Sequence, residues 1–555
     1  MLSNRSLRRT LFATGVALLT AQAAAQQQGT LGPLVITATQ SGDLGSAGRV
    51  VGGMLQDGTL RIVETTDDQL APGRIHQRLA QFHRGVRVSG GSVCVQSDSG
   101  ISRSLFGHVY PDISIAVEPT LSARDVVAIA GSDDMAVLSP PDLVIVRDDD
   151  EDAYRLVYRI HTFGMSGLVV SEIDALTGAV VSTRSALTTQ GVQATCPDCA
   201  VGEGLGVKGD RKKVSVRLSG DEFHADDGLR PARVSTYDMR GDWERALDAL
   251  NGRVALTSAD LARDSDNVWQ DGASVDAHTG SGWTLDYLYD RFGRKGLDDR
   301  NGPVVAMVHP VHRSDLFSVP TEVADLFHLN AFFCGLCGQD GIIVLGEGLP
   351  PGQTIGQTGQ VLDFFAAGLD IVAHELGHAV TDFSSQLIYE GESGALNEAF
   401  SDLIGVGTEF FMAETGRHRP ERADYVIGED VLKPGGIRSL SNPLSRGDPD
   451  HYSLRFLGSS DNGGVHTNST IATHAYYLAV EGGINQTSRI EVAGLGPQNR
   501  DLVERIFYRA FVFLLPENAT FSMARAATLQ SARDLSDDET VTQTIAAAWT
   551  AVGVE

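Results

Sequence analysis

A chain of 555 residues, 42% hydrophobic and 21% charged, is globular in composition but too long for one core. The ordinary domain size of ~100–200 residues calls for three or four folding units. Its 44 Lys and Arg against 71 Asp and Glu leave a net charge of −27, which argues against a nucleic-acid partner and against docking on anionic lipid.

Residues 1–25 read as a secretory signal. Arg5, Arg8 and Arg9 precede an apolar run from Leu11 to Leu19, and small residues follow in Ala21-Gln22-Ala23 and Ala23-Ala24-Ala25. The run is too short to span a bilayer. Arg8-Arg9-Thr10-Leu11-Phe12 leaves export by the general or the twin-arginine route open. No later apolar stretch reaches ~18 residues, so the processed chain is expected to be secreted, extracellular and without a stable membrane anchor.

Residues 26–188 carry β patterns in two small modules, about 45–115 and 116–186. Arg78 to Val95 alternates and turns at glycines; Leu143–Val146, Tyr154–Tyr158 and Leu168–Ser171 are further strand runs, and Asp174 to Val181 is hairpin-like. The stretch Thr188 to Pro197 reads as a linker where the chain could be cut. Residues 189–368 mix strands with glycine-rich turns and a helical stretch near Ala273–Phe292. Beyond them, apolar residues recur at helical spacing over 368–383, 396–411, 470–480 and 502–515, so 369–555 is expected to be mainly helical. The acidic run 148–152 reads as a solvated loop. Five cysteines fall as Cys94 alone and the pairs Cys196/Cys199 and Cys334/Cys337. In an exported chain these favour disulfides over a zinc ribbon, with bridging within or between pairs left open.

His374-Glu375-Leu376-Gly377-His378 lies in one of the helical stretches, where i, i+4 spacing puts both imidazoles on one face. Catalytic zinc needs a third protein ligand and an open position, and a Glu beside the first His points toward the water that fills it. The stretch Gly391 to Asp402 offers Glu398 as that third ligand, with Asp402 one turn later to orient an imidazole through its other N–H.

From about Val201 to Glu555 the chain resembles the thermolysin family of neutral zinc metallopeptidases. His374-Glu-Leu-Gly-His378, Gly394-Ala-Leu-Asn-Glu-Ala-Phe-Ser-Asp402 and Asp461-Asn-Gly-Gly-Val-His466 match in order and spacing. The resemblance implies an α+β fold: β-rich propeptide modules, then a two-lobed catalytic unit with a β-rich lobe (189–368), an α-helical lobe (369–555) and a cleft between them. It implies zinc on His374, His378 and Glu398, Glu375 as the base that activates water, Asp402 behind His374 and Asn397 behind His378. His466 with Asp461, together with Tyr389, would stabilise the oxyanion. Asn330 and Ala331 would hold the substrate backbone and Arg438 a substrate carbonyl.

It also implies two structural calcium ions on Asp370, Glu409, Asp424 and Glu429. Clustered carboxylates are costly unless a hard cation neutralises them. Asp264 and Asp266 could form a further site, but Val268 stands where a ligand is expected, and Leu432-Lys433 replaces the Tyr-Thr pair of another. Leu362, Phe365, Ile371, Ile427 and Ile437 would surround the side chain after the scissile bond, favouring bulky apolar residues there. The expected protein is a monomeric precursor that hydrolyses protein and peptide substrates, with its own propeptide as folding aid and intramolecular inhibitor. Two rivals are a metal-stabilised binding protein that has lost turnover and an exopeptidase of restricted specificity. Intact Glu375, Tyr389 and His466 speak against the first, and no additional motif for gripping a free terminus supports the second.

Overall fold

The computed structural model describes residues 33–130, 136–148, 153–164, 167–185, 198–337, 341–418 and 423–555. The expected signal, the linker 188–197 with Cys196, and residues 149–152 of the acidic run lie outside the described residues.

The N-terminal part builds one ten-stranded sheet with two separate cores. Its first half is a meander of Leu60–Asp67, Arg74–His83, Val86–Asp98 and Ile101–Val109, with Leu34–Ala38 added at the edge. Alternating side chains point Leu60, Leu79, Val93 and Leu105 at one face, where the helix Ser41–Gln56 covers them with Val51. The second half repeats the plan: strands Asp142–Asp148, Ala153–Gly164, Gly167–Asp174 and Val180–Ser185 bury Ile145, Leu156 and Ile160 beside Val126 of the helix Ala123–Ala130. The halves join where Arg87 and Val88 pair in parallel with Val144 and Ile145. The edge strand Leu34–Ala38 pairs antiparallel with Ile101–Val109 and so belongs to the same sheet.

The next lobe holds two five-stranded sheets. In the second, Val234–Asp238, Val304–Val308 and Ile342–Leu345 run parallel, and Ala331–Cys334 closes the edge antiparallel to the last. The helix Gly272–Phe292 is capped by the Asp271 side chain and stopped by Gly293 at φ 73°. Most of its residues are buried, many of them small, as a helix central to the molecule requires.

The C-terminal lobe contains Leu369–Asp382, Gly391–Glu414, Asp461–Val480, Arg500–Arg509, Phe521–Leu535 and Glu539–Ala551. They share a core that includes Leu376, Phe400, Ile471, Phe507, Phe511 and Trp549. Phe106 of the N-terminal sheet is buried in this same core, so the two parts are not merely tethered. Arg78 donates to the carbonyls of Val512 and Leu515, His76 stacks on Phe513, and buried Arg509 reaches Asp68 at 2.9 Å. Among the described residues, no helix is long and apolar enough to cross a membrane. Cys334 and Cys337 form a disulfide within their pair, Cys199 is also disulfide-bonded, and Cys94 is a buried free thiol.

Candidate active site

The helices Leu369–Asp382 and Gly391–Glu414 pack closely because Gly377 lacks a side chain. A Cβ there would lie 2.8 Å from the Cα of Ser401. This contact lets Glu398 reach the imidazoles of His374 and His378. Their Nε2 atoms lie 3.1 Å apart, and Glu398 oxygens are 3.5 and 3.4 Å from them.

Both imidazoles are held from behind. Nδ1 of His374 faces Asp402 Oδ1 at 2.9 Å, and Nδ1 of His378 faces Asn397 Oδ1 at 2.9 Å and Ser401 Oγ at 3.1 Å. With both Nδ1 atoms turned to oxygens behind them, the two Nε2 atoms face each other and a buried carboxylate, more polar groups than shared protons can satisfy. A divalent cation resolves that conflict, and two imidazoles with one carboxylate are a zinc donor set. Asp402 is in turn gripped by both arms of Arg438, at 2.9 and 2.6 Å. Arg438 is buried behind the cluster, 3.6 Å from Glu398.

Burial sets the charges. It pushes the Glu375 carboxyl up to about 7, against the opposing pull of His374. It takes His378 down to about 4, whereas for His374 the fields of Glu398 and Asp402 outweigh burial and raise it. Glu398 is driven far below the usual carboxylate range: burial resists ionisation, but His466, His374 and His378 together prevail.

The opposite wall is set by a turn. Asp461, Asn462, Gly463 and Gly464 all have positive φ, and a Cβ on Gly464 would lie 2.6 Å from Phe456. The turn brings Asp461 Oδ1 within 2.6 Å of His466 Nδ1 and leaves His466 Nε2 3.4 Å from Glu398. Tyr389 donates to Glu398 and lies 3.2 Å from His466 Nε2.

A cavity of about 690 Å³ is lined by His374, Glu375, His378, Tyr389, Glu398 and His466 together with Asn330 and Ala331. Arg87, Ser89, Arg159, His161 and Arg184 of the N-terminal sheet line it from the other side. Leu362, Phe365, Ile371, Ile427 and Ile437 do not line it; they are packed in the main core and beside it.

Asp370 and Glu409, on the same two helices, gather with Asp424 and Glu429 from the segment after Glu414. Both oxygens of Glu409 and of Glu429 are buried without a hydrogen-bond partner. Burial raises all four, compounded by neighbouring carboxylates: Asp370 to about 6, Glu429 to about 9, Glu409 well up, and Asp424 upward beside Asp430. At the exposed Asp264–Asp266 pair, both carboxylates accept the main-chain N–H of Val268.

Sequence reasoning missed Ser401, Asp430 and the N-terminal arginines over the cleft. Ser401 was within reach, since it stands one helical turn after Asn397 on the same face. The arginines carried no signal, because only the tertiary fold brings them there.

A two-lobed fold with a His–His–Glu cluster and a carboxylate beside it defines a metal-dependent hydrolase. The model of the thermolysin metallopeptidase catalytic domain matches residues 201–382, and that of the alpha-helical domain matches 385–554. A thermolysin from Alicyclobacillus acidocaldarius subsp. acidocaldarius is 32% identical over 533 residues, covering 91% of this chain and 87% of that protein. Bacillolysin from Bacillus cereus is 32% identical over 495 residues, covering 82% and 78%. Among solved structures, the precursor of protealysin, a metalloproteinase from Serratia proteamaculans, is 26% identical, with a TM-score of 0.43 and coverage of 58% of this chain and 87% of that one. The chain belongs to the thermolysin family of zinc metallopeptidases and is a metalloendopeptidase.

Proposed function

We propose that this is a secreted endopeptidase precursor in which His374, His378 and Glu398 hold one zinc ion and Glu375 is the catalytic base and acid. The observation that carries it is the convergence of two imidazole Nε2 atoms and a buried carboxylate on the wall of the cleft that also holds Glu375. A zinc ion held by His374, His378 and Glu398 would polarise a peptide carbonyl and lower the pKa of a water toward ~7. Ionised Glu375 takes a proton from the attacking water and delivers it to the leaving nitrogen, so the C–N bond breaks as an amine departs. His466, oriented by Asp461, and the Tyr389 hydroxyl supply donors to the oxygen that becomes negative when the carbonyl is attacked. Asn330 and Ala331, at the start of the edge strand, bind the extended substrate backbone, and Arg438 steadies Asp402 while addressing a substrate carbonyl.

Two calcium ions on Asp370, Glu409, Asp424 and Glu429 neutralise a carboxylate cluster in which the oxygens of Glu409 and Glu429 otherwise lie buried without a hydrogen-bond partner. The apolar set Leu362, Phe365, Ile371, Ile427 and Ile437 favours cleavage on the N-terminal side of bulky apolar residues. Their burial in the core leaves this preference resting on the family resemblance. The N-terminal sheet acts as inhibitor until it is removed, a reading supported by Arg87, Arg159 and Arg184 lining the cleft opposite Glu375.

The test is to express wild type beside Glu375→Ala. Wild type is expected to lose its N-terminal part and cut casein internally, and phenanthroline to stop it; the variant is expected to do neither. Full casein hydrolysis by Glu375→Ala would refute the mechanism. Absence of cleavage by wild type would favour a binding protein, and release of single residues an exopeptidase.

A further inference from the structure

A second set of imidazoles and a carboxylate converges outside the catalytic cluster. The strands Val304–Val308 and Ile342–Leu345 are parallel neighbours, with Val308 opposite Leu345. Just past their C-terminal ends, His309, His312 and Glu347 come together, with ligand atoms all within 4.8 Å of one another. Crevices at the carboxyl ends of parallel strands are recurrent ligand positions.

The orientation is specific. Oε1 of Glu347 lies 2.6 Å from His309 Nδ1 and 3.1 Å from His312 Nδ1, so two ring nitrogens aim at one oxygen. The other oxygen, Oε2, accepts the main-chain N–H of Arg313 at 2.7 Å, which fixes the rotation of the carboxylate. His309 Nε2 is 3.1 Å from both oxygens of Asp271. Carboxylates thus face both nitrogens of His309 and push its imidazolium form up to about 10 against burial, so an ion binding at Nδ1 displaces that proton while Asp271 keeps hold of Nε2–H. The nearby guanidinium of Arg313 is directed at Asp363, at 2.6 Å, and at the carbonyl of Glu347. His309 and Glu347 are buried, whereas the His312 side chain is 42% exposed, giving an ion a route in and an open flank for solvent ligands.

We propose that His309 Nδ1, His312 Nδ1 and the Glu347 carboxylate form a second binding site for a first-row divalent transition ion of the zinc class. Two imidazole nitrogens select such an ion over calcium, which takes oxygen ligands. The site is tied to the substrate edge: Gly346, next to Glu347, donates its N–H to the carbonyl of Asn330. Occupancy therefore stiffens the cleft rim without taking part in the cleavage itself.

The full-length Glu375→Ala precursor, which cannot digest itself, is dialysed to equilibrium against zinc in a calcium-containing buffer, and bound zinc per chain is measured. Two ions are expected in this parent. One is expected after adding His312→Ala, one after adding His378→Ala, and none with both. Because His312 is partly exposed, its variant is expected to keep the near-ultraviolet circular dichroism of the parent. Glu347→Gln serves as a second variant and is likewise expected to lose one ion. A parent holding one ion, or two ions retained in both His312→Ala and Glu347→Gln, would overturn the proposal. Loss of an ion in His378→Ala alone would leave the catalytic site intact as a reading while removing this one.

Discussion

At the residue scale, the cluster works because each reactive group has a second group fixing its state. His466 is held by Asp461, and its charge is favoured first by Glu398, with burial opposing. His466→Ala is therefore expected to lower kcat by roughly 10²–10³-fold, the usual cost of one oxyanion donor, with KM nearly unchanged in steady-state peptide hydrolysis. Glu375 accepts a proton only when ionised, so kcat/KM is lost as pH falls through its pKa. Burial, opposed chiefly by His374, places that pKa at about 7, and a neighbouring cation would move it lower, so the acid limb is expected below pH 7 in a pH–rate profile. An acid limb unmoved in Glu375→Asp would assign it to another group. The grouping of His374, His378 and Glu398 was legible in the sequence as a candidate ligand set, since i, i+4 spacing and a motif at fixed separation are local facts. The state of each ligand was not, because it depends on Ser401, Arg438 and burial, which come from packing.

At the element scale, the helices that bring His374, His378 and Glu398 together also carry Asp370 and Glu409, which meet Asp424 and Glu429 from the segment after Glu414. The folded pKa values of Asp370 and Glu429, about 6 and about 9, lie above the ordinary carboxylate range. The folded state thus binds more protons than the unfolded chain between about pH 4 and pH 9, and stability without calcium falls as pH rises through that window. Thermal melts of the Glu375→Ala precursor in a calcium chelator are expected to show Tm dropping by several degrees from pH 5 to 9. Added calcium is expected to flatten the dependence; a flat curve in chelator would remove the argument for calcium there. Leu369–Asp382 is legible from apolar residues recurring at helical spacing over 368–383, although nearly all of it is buried. Trp243–Leu250, Thr321–Phe327, Phe521–Leu535 and Glu539–Ala551 were not singled out. The last two bury many Ala and Thr residues, whose small size packs well yet gives little periodic contrast.

At the scale of the whole molecule, the N-terminal sheet and the helical lobe are joined by a buried ion network. Burial alone would raise Asp68, but the His76 hydrogen bond and the charge of Arg509 bring it down to about 2. Its contribution is present above the ordinary Asp pKa and lost as pH falls toward 2. Removing one partner of such a pair typically costs ~3–5 kcal/mol. Asp68→Ala is accordingly expected to loosen the N-terminal part and speed its proteolytic removal several-fold in a time course, while the matured enzyme keeps normal turnover; unchanged processing would place the inhibitory contact elsewhere. None of this network was legible in the sequence, where Asp68 and Arg509 stand 441 positions apart.

The central claim is that Glu398 completes the zinc site while Glu375 stands beside it without holding the ion. The direct measurement is bound zinc per chain in full-length Glu375→Ala compared with Glu375→Ala carrying Glu398→Ala, dialysed under identical conditions. The prediction is one ion per chain fewer when Glu398 is removed. Equal zinc content in the two would contradict the account.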